Sequence, residues 1–228
     1  MIKVLLSVIV AVAVGYFLGS LNFSILFVKI MTGKDIREMG SKNAGLTNTY
    51  RCAGKTCALL TLVGDVLKSV LAVYIAFMFC NIMKSGMNPD NNVQYIGYFA
   101  GIGAVLGHIF PVYYGFKGGK GVLAGAAAFL VIDTKVFIAI LAIFVVILYI
   151  SKYVSLASIF ASVYCPVAVF CMSRIVENCS FGVSILYFIL SLPIVSLIVW
   201  RHKPNIDRLI AGTENKFSFN MNSVTKKS

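Results

Sequence analysis

"VFIAILAIFVVILYI", residues 136–150, carries no charge and no polar group beyond one tyrosine hydroxyl. In water such a run has to be covered on every side, whereas hydrocarbon accepts it as it stands. The remainder of the chain decides which solvent applies. Of its 228 residues, 59% are hydrophobic and 12% are charged, and the mean hydropathy is +0.90. A soluble domain of this size has too little interior to hide that much apolar surface. The chain therefore reads as an all-α integral membrane protein, because a helix satisfies its own backbone in lipid.

Further apolar stretches occupy 2–28, 57–80, 93–110, 121–132, 153–172 and 181–200. With 136–151 they make a polytopic bundle of seven transmembrane helices in a single domain, 1–216, followed by a basic tail, 217–228. A span needs about 20 apolar residues. The central segments 121–132 and 136–151 fall short of that, so short or broken helices are expected there, shielded by longer neighbours or joined by irregular backbone that protein buries. "AVA" at 11–13 mimics a signal-peptide cleavage site, but the apolar run continues to Val28, too far for a signal core. Gly15 and Gly19, Gly97 and Gly101, Gly103 and Gly107, and Gly121 and Gly125 are pairs spaced for close helix packing. Residues 81–92 read as an ordinary turn.

Charge sets the orientation. The net charge is +12. Fifteen of the 20 Lys and Arg fall in segments on one side of the spans, while the other side receives Lys3, Lys84, Lys135 and Arg174, and Lys68 lies within a span. Positive charge collects on the cytoplasmic side, which puts the N-terminus outside and the C-terminus in the cytoplasm. A basic balance of this kind also removes the case for nucleic acid, which needs a soluble basic face. The six cysteines form no CxxC pair and no zinc spacing, so they read as small apolar filler; a link between Cys80 and Cys179 would require both to reach the outer face.

Three polar islands land on the cytoplasmic face: "GSKNAGLTNTYR" at 40–51, "GHIFPVYYGFKGGKGV" at 107–122 and "RHKPNIDRLIAGTENK" at 201–216. In the second, Gly118, Gly119 and Gly121 can take positive φ and converge backbone N–H groups on one point, with Lys117 and Lys120 adding cations. The apolar segment that follows starts a helix whose N-terminus favours an anion. It is not a Walker A loop, because the spacing is one residue short and Gly121 stands where a Ser or Thr would hold magnesium. The first island offers Ser41, Asn43, Thr47 and Asn48 to orient a polar ligand and Arg51 to grip a phosphate. The third adds His202, Asn205, Arg208 and Glu214, and His108 precedes the glycine loop. Taken together they point to one anionic site at the inner interface, where a soluble phosphate ester and a lipid tail can meet. Asp65 and Lys68, one turn apart inside a span, must pair or line a cavity. Ser155 and Ser158 mark a helix start, as caps or as ligand contacts.

These islands resemble the three signature motifs of the bacterial acyl-phosphate:glycerol-3-phosphate acyltransferases, the PlsY family. "GDVLKS" at 64–69 and "YVSLAS" at 153–158 resemble further family segments, and the match covers nearly the whole chain. The resemblance implies transfer of a fatty acyl group from acyl phosphate to the sn-1 hydroxyl of glycerol 3-phosphate, giving lysophosphatidic acid and phosphate. It also implies no metal and no cofactor, a monomer, membrane lipid as surroundings and a bacterial inner membrane. It places Ser41, Arg51, Lys120, Ser158, His202 and Asn205 around the phosphates. The loop 118–121 is then assigned to the donor or leaving phosphate, and Ser41, Arg51 and His202 to the glycerol phosphate, with Asn48 or Asn205 donating to the oxyanion. The base stays open between His108, His202 and a substrate phosphate. Two rivals share these residues. A transporter or channel for phosphorylated metabolites would use the same cationic loops but needs polar groups at the midplane and outer face. An acyl-CoA-type acyltransferase is marked by HxxxxD, a spacing that His202 and Asp207 share by coincidence. A metal-dependent phosphatidyl transferase lacks its aspartate cluster.

Overall fold

A computed structural model describes residues 2–84 and 93–217; residues 85–92, from the expected outer turn, and 218–228, from the expected tail, lie outside the described residues. The regular structure described is entirely helical: α1 (Ile2–Gly19), α2 (Phe23–Thr32), α3 (Leu46–Lys84), α4 (Gln94–Ile109), α5 (Val122–Ile132), α6 (Thr134–Ser151), α7 (Val154–Cys171), α8 (Phe181–Arg201) and α9 (Lys203–Ile210). Six stretches are long and apolar enough to cross a membrane, and α5, at 11 residues, is shorter.

The first apolar run is not one helix. It breaks at residues 20–22, where the Asn22 side chain caps α2 by accepting from the Ile25 amide at 3.1 Å. A break inside an apolar run exposes backbone that lipid cannot satisfy. Here protein satisfies it: Ser20 Oγ donates to the Tyr16 carbonyl at 2.8 Å, and Lys68 Nζ donates to the freed Leu21 carbonyl at 2.8 Å.

Backbone contact between α1 and α4 carries the bundle. A Cβ added to Gly15 or Gly19 would strike the backbone of Ala100 or Ala104, and one added to Gly103 or Gly107 would strike the backbone of Val12 or Tyr16. The two glycine pairs thus interleave across one interface, as their spacing predicts. Gly97 and Gly101 instead receive side chains from α3, α5 and α8, while Gly121 caps α5 with φ +83°.

The two short central segments behave differently. At about 1.5 Å per residue, α5 is about 16 Å long, roughly half of the ~30 Å hydrocarbon core. It is buried along most of its length against α3, α4 and α6, so longer neighbours shield it as expected. The next helix departs from expectation. The Asp133 side chain accepts from the amides of Lys135 and Val136, which extends α6 to 18 residues, and only Val136 and Ile140 on it are buried. The stretch at 136–150 is therefore a full-length, lipid-facing helix.

The first island is also more ordered than a loop. Its second half, from Leu46, is helical, and a kink follows at Gly54, whose φ of 82° and ψ of −179° suit glycine alone. Thr47, Asn48 and Arg51 therefore stand on a helical turn that runs into the span. Residues 81–84 continue α3 where a turn was expected. Cys80 and Cys179 are both free thiols. At the other extremity of the described chain, the Phe217 amide donates to the Lys152 carbonyl at 2.7 Å, between α6 and α7.

Candidate active site

The start of α3, the end of α4, the start of α5, the start of α7 and the end of α8 meet at one end of the bundle. Between them lies a cavity of about 800 Å³. Of the predicted site residues, Ser41, Asn43, Thr47, Asn48, Arg51, His108, Gly118, Lys120, Gly121, Ser158, His202, Asn205, Arg208 and Glu214 line it. Lys117 and Gly119 do not: Lys117 is exposed, and Gly119 is buried against Ala44 and His108. The cavity continues into an apolar half walled by residues such as Leu62, Val66, Phe137, Leu141, Phe144 and Cys165.

The glycine loop is built differently from the sequence-based expectation. The Gly118 and Gly119 amides do not converge on a ligand; they donate to the Ile109 and His108 carbonyls, both at 3.1 Å, and tie the loop to the end of α4. Of the three glycines only Gly121 has positive φ. Gly118 and Gly119 are needed for proximity: a Cβ on the first would strike the His108 carbonyl, and on the second the Ala44 carbonyl and His108 Nε2. The donors left for a ligand are the Lys120 and Gly121 amides, which make no hydrogen bond among the described residues, and the first turn of α5, whose amides an α-helix leaves open. The open amides sit at 120–123.

Lys120 has one side-chain partner, Asn205 Oδ1, at 2.5 Å. Asn205 is held in turn by Glu214, whose carboxylate accepts from Asn205 Nδ2 at 2.7 Å, from Ser155 Oγ at 2.8 Å and from Arg208 Nε at 2.7 Å. Glu214 thus orients other residues, and both of its oxygens already accept from them. Asn205 Nδ2 gives one of its two N–H groups to Glu214, which orients the amide and leaves the second N–H without a partner among the described residues. Asn48 is committed: its Oδ1 accepts from the Ser41 amide at 2.9 Å, and its Nδ2 donates to the Met39 and Asn43 carbonyls. Both asparagines shape their islands. By contrast, Ser41 Oγ and Thr47 Oγ1 make no hydrogen bond among the described residues, and Arg51 reaches only the Asn215 carbonyl, at 3.5 Å. Ser158 Oγ donates to its own helix at the Val154 carbonyl. Ser155 is not a cap, since Tyr153 holds that position.

Charges here are displaced from their usual behaviour. Burial pushes the Lys120 ammonium down to about 8; Glu214 opposes the shift, and Arg208, Arg201 and Arg51 add to it. Burial pushes His202 down to about 4, helped by Lys120. Burial would raise the Glu214 carboxyl, but hydrogen bonds from Asn205, Ser155 and Arg208 outweigh it and hold the group low. His202 Nδ1 lies 2.7 Å from the Ile198 carbonyl, which can only accept, so this neutral ring carries its proton on Nδ1. Asp207 is exposed and outside the cavity, so no His–Asp dyad forms from the HxxxxD spacing.

Three cations that line the cavity were missed, Lys42, Arg201 and Lys203, and Arg201 is the one bonded to the glycine loop. Arg201 donates to the Gly119 carbonyl at 3.3 Å, so it braces the loop while adding positive charge to the cavity. Its place at the C-terminal end of a span, next to His202, was the available signal. Among the described residues no group of His, Cys, Asp and Glu is arranged to hold a metal ion.

A family model described as glycerol-3-phosphate acyltransferase matches residues 9–212. The chain belongs to the glycerol-3-phosphate acyltransferase (PlsY) family. A family protein of Fusobacterium nucleatum is 36% identical over 204 residues, 90% of this chain and 95% of that one. Another, of Chlorobium phaeovibrioides, is 37% identical over 232 residues, 94% of this chain and 98% of that one. Among solved structures, PlsY (YgiH), an integral membrane glycerol 3-phosphate acyltransferase, matches in its glycerol 3-phosphate form with a TM-score of 0.74 at 32% identity, covering 93% of this chain and 96% of that one. Its lysphosphatidic acid form gives 0.72 at 30%, covering 97% and 100%. The family is one of acyltransferases acting in phospholipid synthesis, and this chain is a multi-pass membrane acyltransferase.

Proposed function

We propose that the protein transfers a fatty acyl group from acyl phosphate to the sn-1 hydroxyl of glycerol 3-phosphate, releasing lysophosphatidic acid and inorganic phosphate. The observation that carries this reading is the composition of the cavity: one half holds Arg51, Lys120, Arg201 and Arg208, and the other half is apolar. Two phosphorylated reactants fit the first half and an acyl tail fits the second. The cradle at 120–123, with the Lys120 ammonium, receives the donor phosphate; Ser41, Thr47 and Arg51, whose polar atoms are uncommitted or nearly so, receive the glycerol phosphate. The sn-1 oxygen attacks the acyl carbonyl, the C–O bond to phosphate breaks, and phosphate departs with the electron pair.

An acyl phosphate has a good leaving group, so orientation and charge stabilisation supply most of what is needed. With His108 set aside for the section below, two groups compete for the hydroxyl proton. A substrate phosphate has a second pKa of about 6, whereas His202 is held at about 4. Burial weakens His202 as a base, so a substrate phosphate is assigned the sn-1 proton, while His202 Nε2 accepts from the neighbouring C2 hydroxyl and aligns the alcohol. No metal or cofactor takes part in this scheme.

The basic side of the chain supports seven spans, with α5 as the short one, the N-terminus outside, and the cavity opening to the cytoplasmic face of a bacterial inner membrane. The protein works as a monomer among membrane lipids. Residues 217–228 form a basic cytoplasmic tail after the domain at 1–216.

The test supplies purified protein with labelled glycerol 3-phosphate and, separately, acyl phosphate, acyl-CoA or acyl-carrier protein. Product with acyl phosphate alone, acylated at sn-1, is expected. Product with acyl-CoA but not acyl phosphate overturns the donor assignment. Uptake of glycerol 3-phosphate into vesicles without any acylated product would favour a transporter.

A further inference from the structure

A buried cluster stands behind the cavity. Asp65 and Lys68 on α3 are 1% and 2% exposed and form an ion pair at 2.7 Å. Lys68 Nζ makes two other contacts, 2.8 Å to the Leu21 carbonyl and 2.9 Å to His108 Nδ1. An ammonium has three protons and no acceptor, and here it meets three acceptors. A neutral amine would leave the Asp65 carboxylate as an uncompensated buried charge, which is the costlier state. Asp65 does not reach the ring itself: its Oδ1 is 3.9 Å from Nδ1, beyond hydrogen-bond distance. Lys68 therefore donates to Nδ1, and the ring proton of neutral His108 lies on Nε2.

That nitrogen makes no hydrogen bond among the described residues. It abuts Gly119, where even a methyl group would strike it, and His108 lines the cavity beside Lys120. We infer that Asp65 and Lys68 are positioning residues that fix His108 as an Nε2–H donor to an oxygen of the bound acyl phosphate, which removes His108 from the candidates for base. The two histidines are thus set in opposite senses, His202 by a carbonyl and His108 by an ammonium. The use of the N–H rests on the acyl-phosphate reading above; the tautomer does not.

The experiment has two arms. In the first, the wild-type protein is labelled with ¹⁵N-histidine in detergent, and the tautomers of its two histidines are read by NMR, with His202→Gln for assignment. His108 protonated at Nε2 and His202 at Nδ1 are expected; His108 protonated at Nδ1 overturns the inference whether or not the protein transfers acyl groups. The second arm compares His108→Gln, whose amide N–H reaches the Nε2 position, with His108→Asn, whose amide reaches only the Nδ1 position. Loss of a preorganised donor costs about 10²–10³ in rate, so that loss is expected for Asn, with Gln within about tenfold of wild type. Lys68→Met should lower kcat in the wild-type background and add little on top of His108→Gln, a coupling that mere loss of packing would not show. Equal inactivity of the Gln and Asn variants, with both melting like wild type, overturns the donor role.

Discussion

The two ends of the helix bundle both carry ion pairs, but they use them differently. At the end holding Arg174 and Cys179, Lys135 and Glu177 meet at 2.9 Å with the lysine half exposed, and the contact leads nowhere else. At the cavity end, Arg208 meets Glu214 at 2.7 Å, and from Glu214 the connection runs through Asn205 to Lys120. The first is a surface pair of the sort that adds little. The second passes position from one element to the next, so its members matter for the place they assign to Lys120 more than for their own attraction.

That contrast can be broken most easily at Lys120. Lys120→Ala should lower kcat/KM by about 10²–10³, the usual cost of one preorganised donor, with the protein still eluting and melting as wild type. Near-normal turnover would show that the cavity end does not depend on its central cation. Glu214→Ala should follow at about 10², the cost of a misplaced catalytic group, because Asn205 and Ser155 lose their common acceptor and Asn205 no longer fixes the Lys120 ammonium. If only KM for one substrate rises and kcat holds, Glu214 binds rather than positions. A smaller effect is expected in the pH profile. Lys120 loses its proton near pH 8, so kcat/KM should fall as pH rises through that value. Lys120→Arg should remove this limb, since a guanidinium stays charged across the range; a limb that persists belongs to another group. The other end supplies the smallest effect: Lys135→Ala should leave turnover and the melting midpoint unchanged, and a clear change in either would show that the two ends are coupled.

Much of this arrangement was visible in the chain before any coordinates. Glycines at 15, 19, 103 and 107 announced a close helix pair, because four-residue spacing is a property of a single helix face. The three islands announced a shared site, because charge bias alone put them on one face. What stayed hidden depends on contacts between distant residues. Nothing near 20–22 shows that α1 ends there; the break survives because Lys68 supplies a donor from another helix. Nothing in "GFKGGKG" shows that its central amides turn back to α4, which leaves the open amides two residues further on. The asparagines read as ligands by composition, and only their partners show that Asn48 holds its own island together while Asn205 ties Glu214 to Lys120 of another. Asp133 lengthened α6 by capping it, a local signal that the hydrophobic run masked.

The hydrogen bond from the Phe217 amide to the Lys152 carbonyl has a practical side. It fastens the segment that carries Glu214 at its far end, while α9 holds the near end. A purification handle or fluorescent fusion joined before residue 217 would release that strap and degrade turnover without touching any group in the cavity; one joined further along should leave the enzyme at full speed.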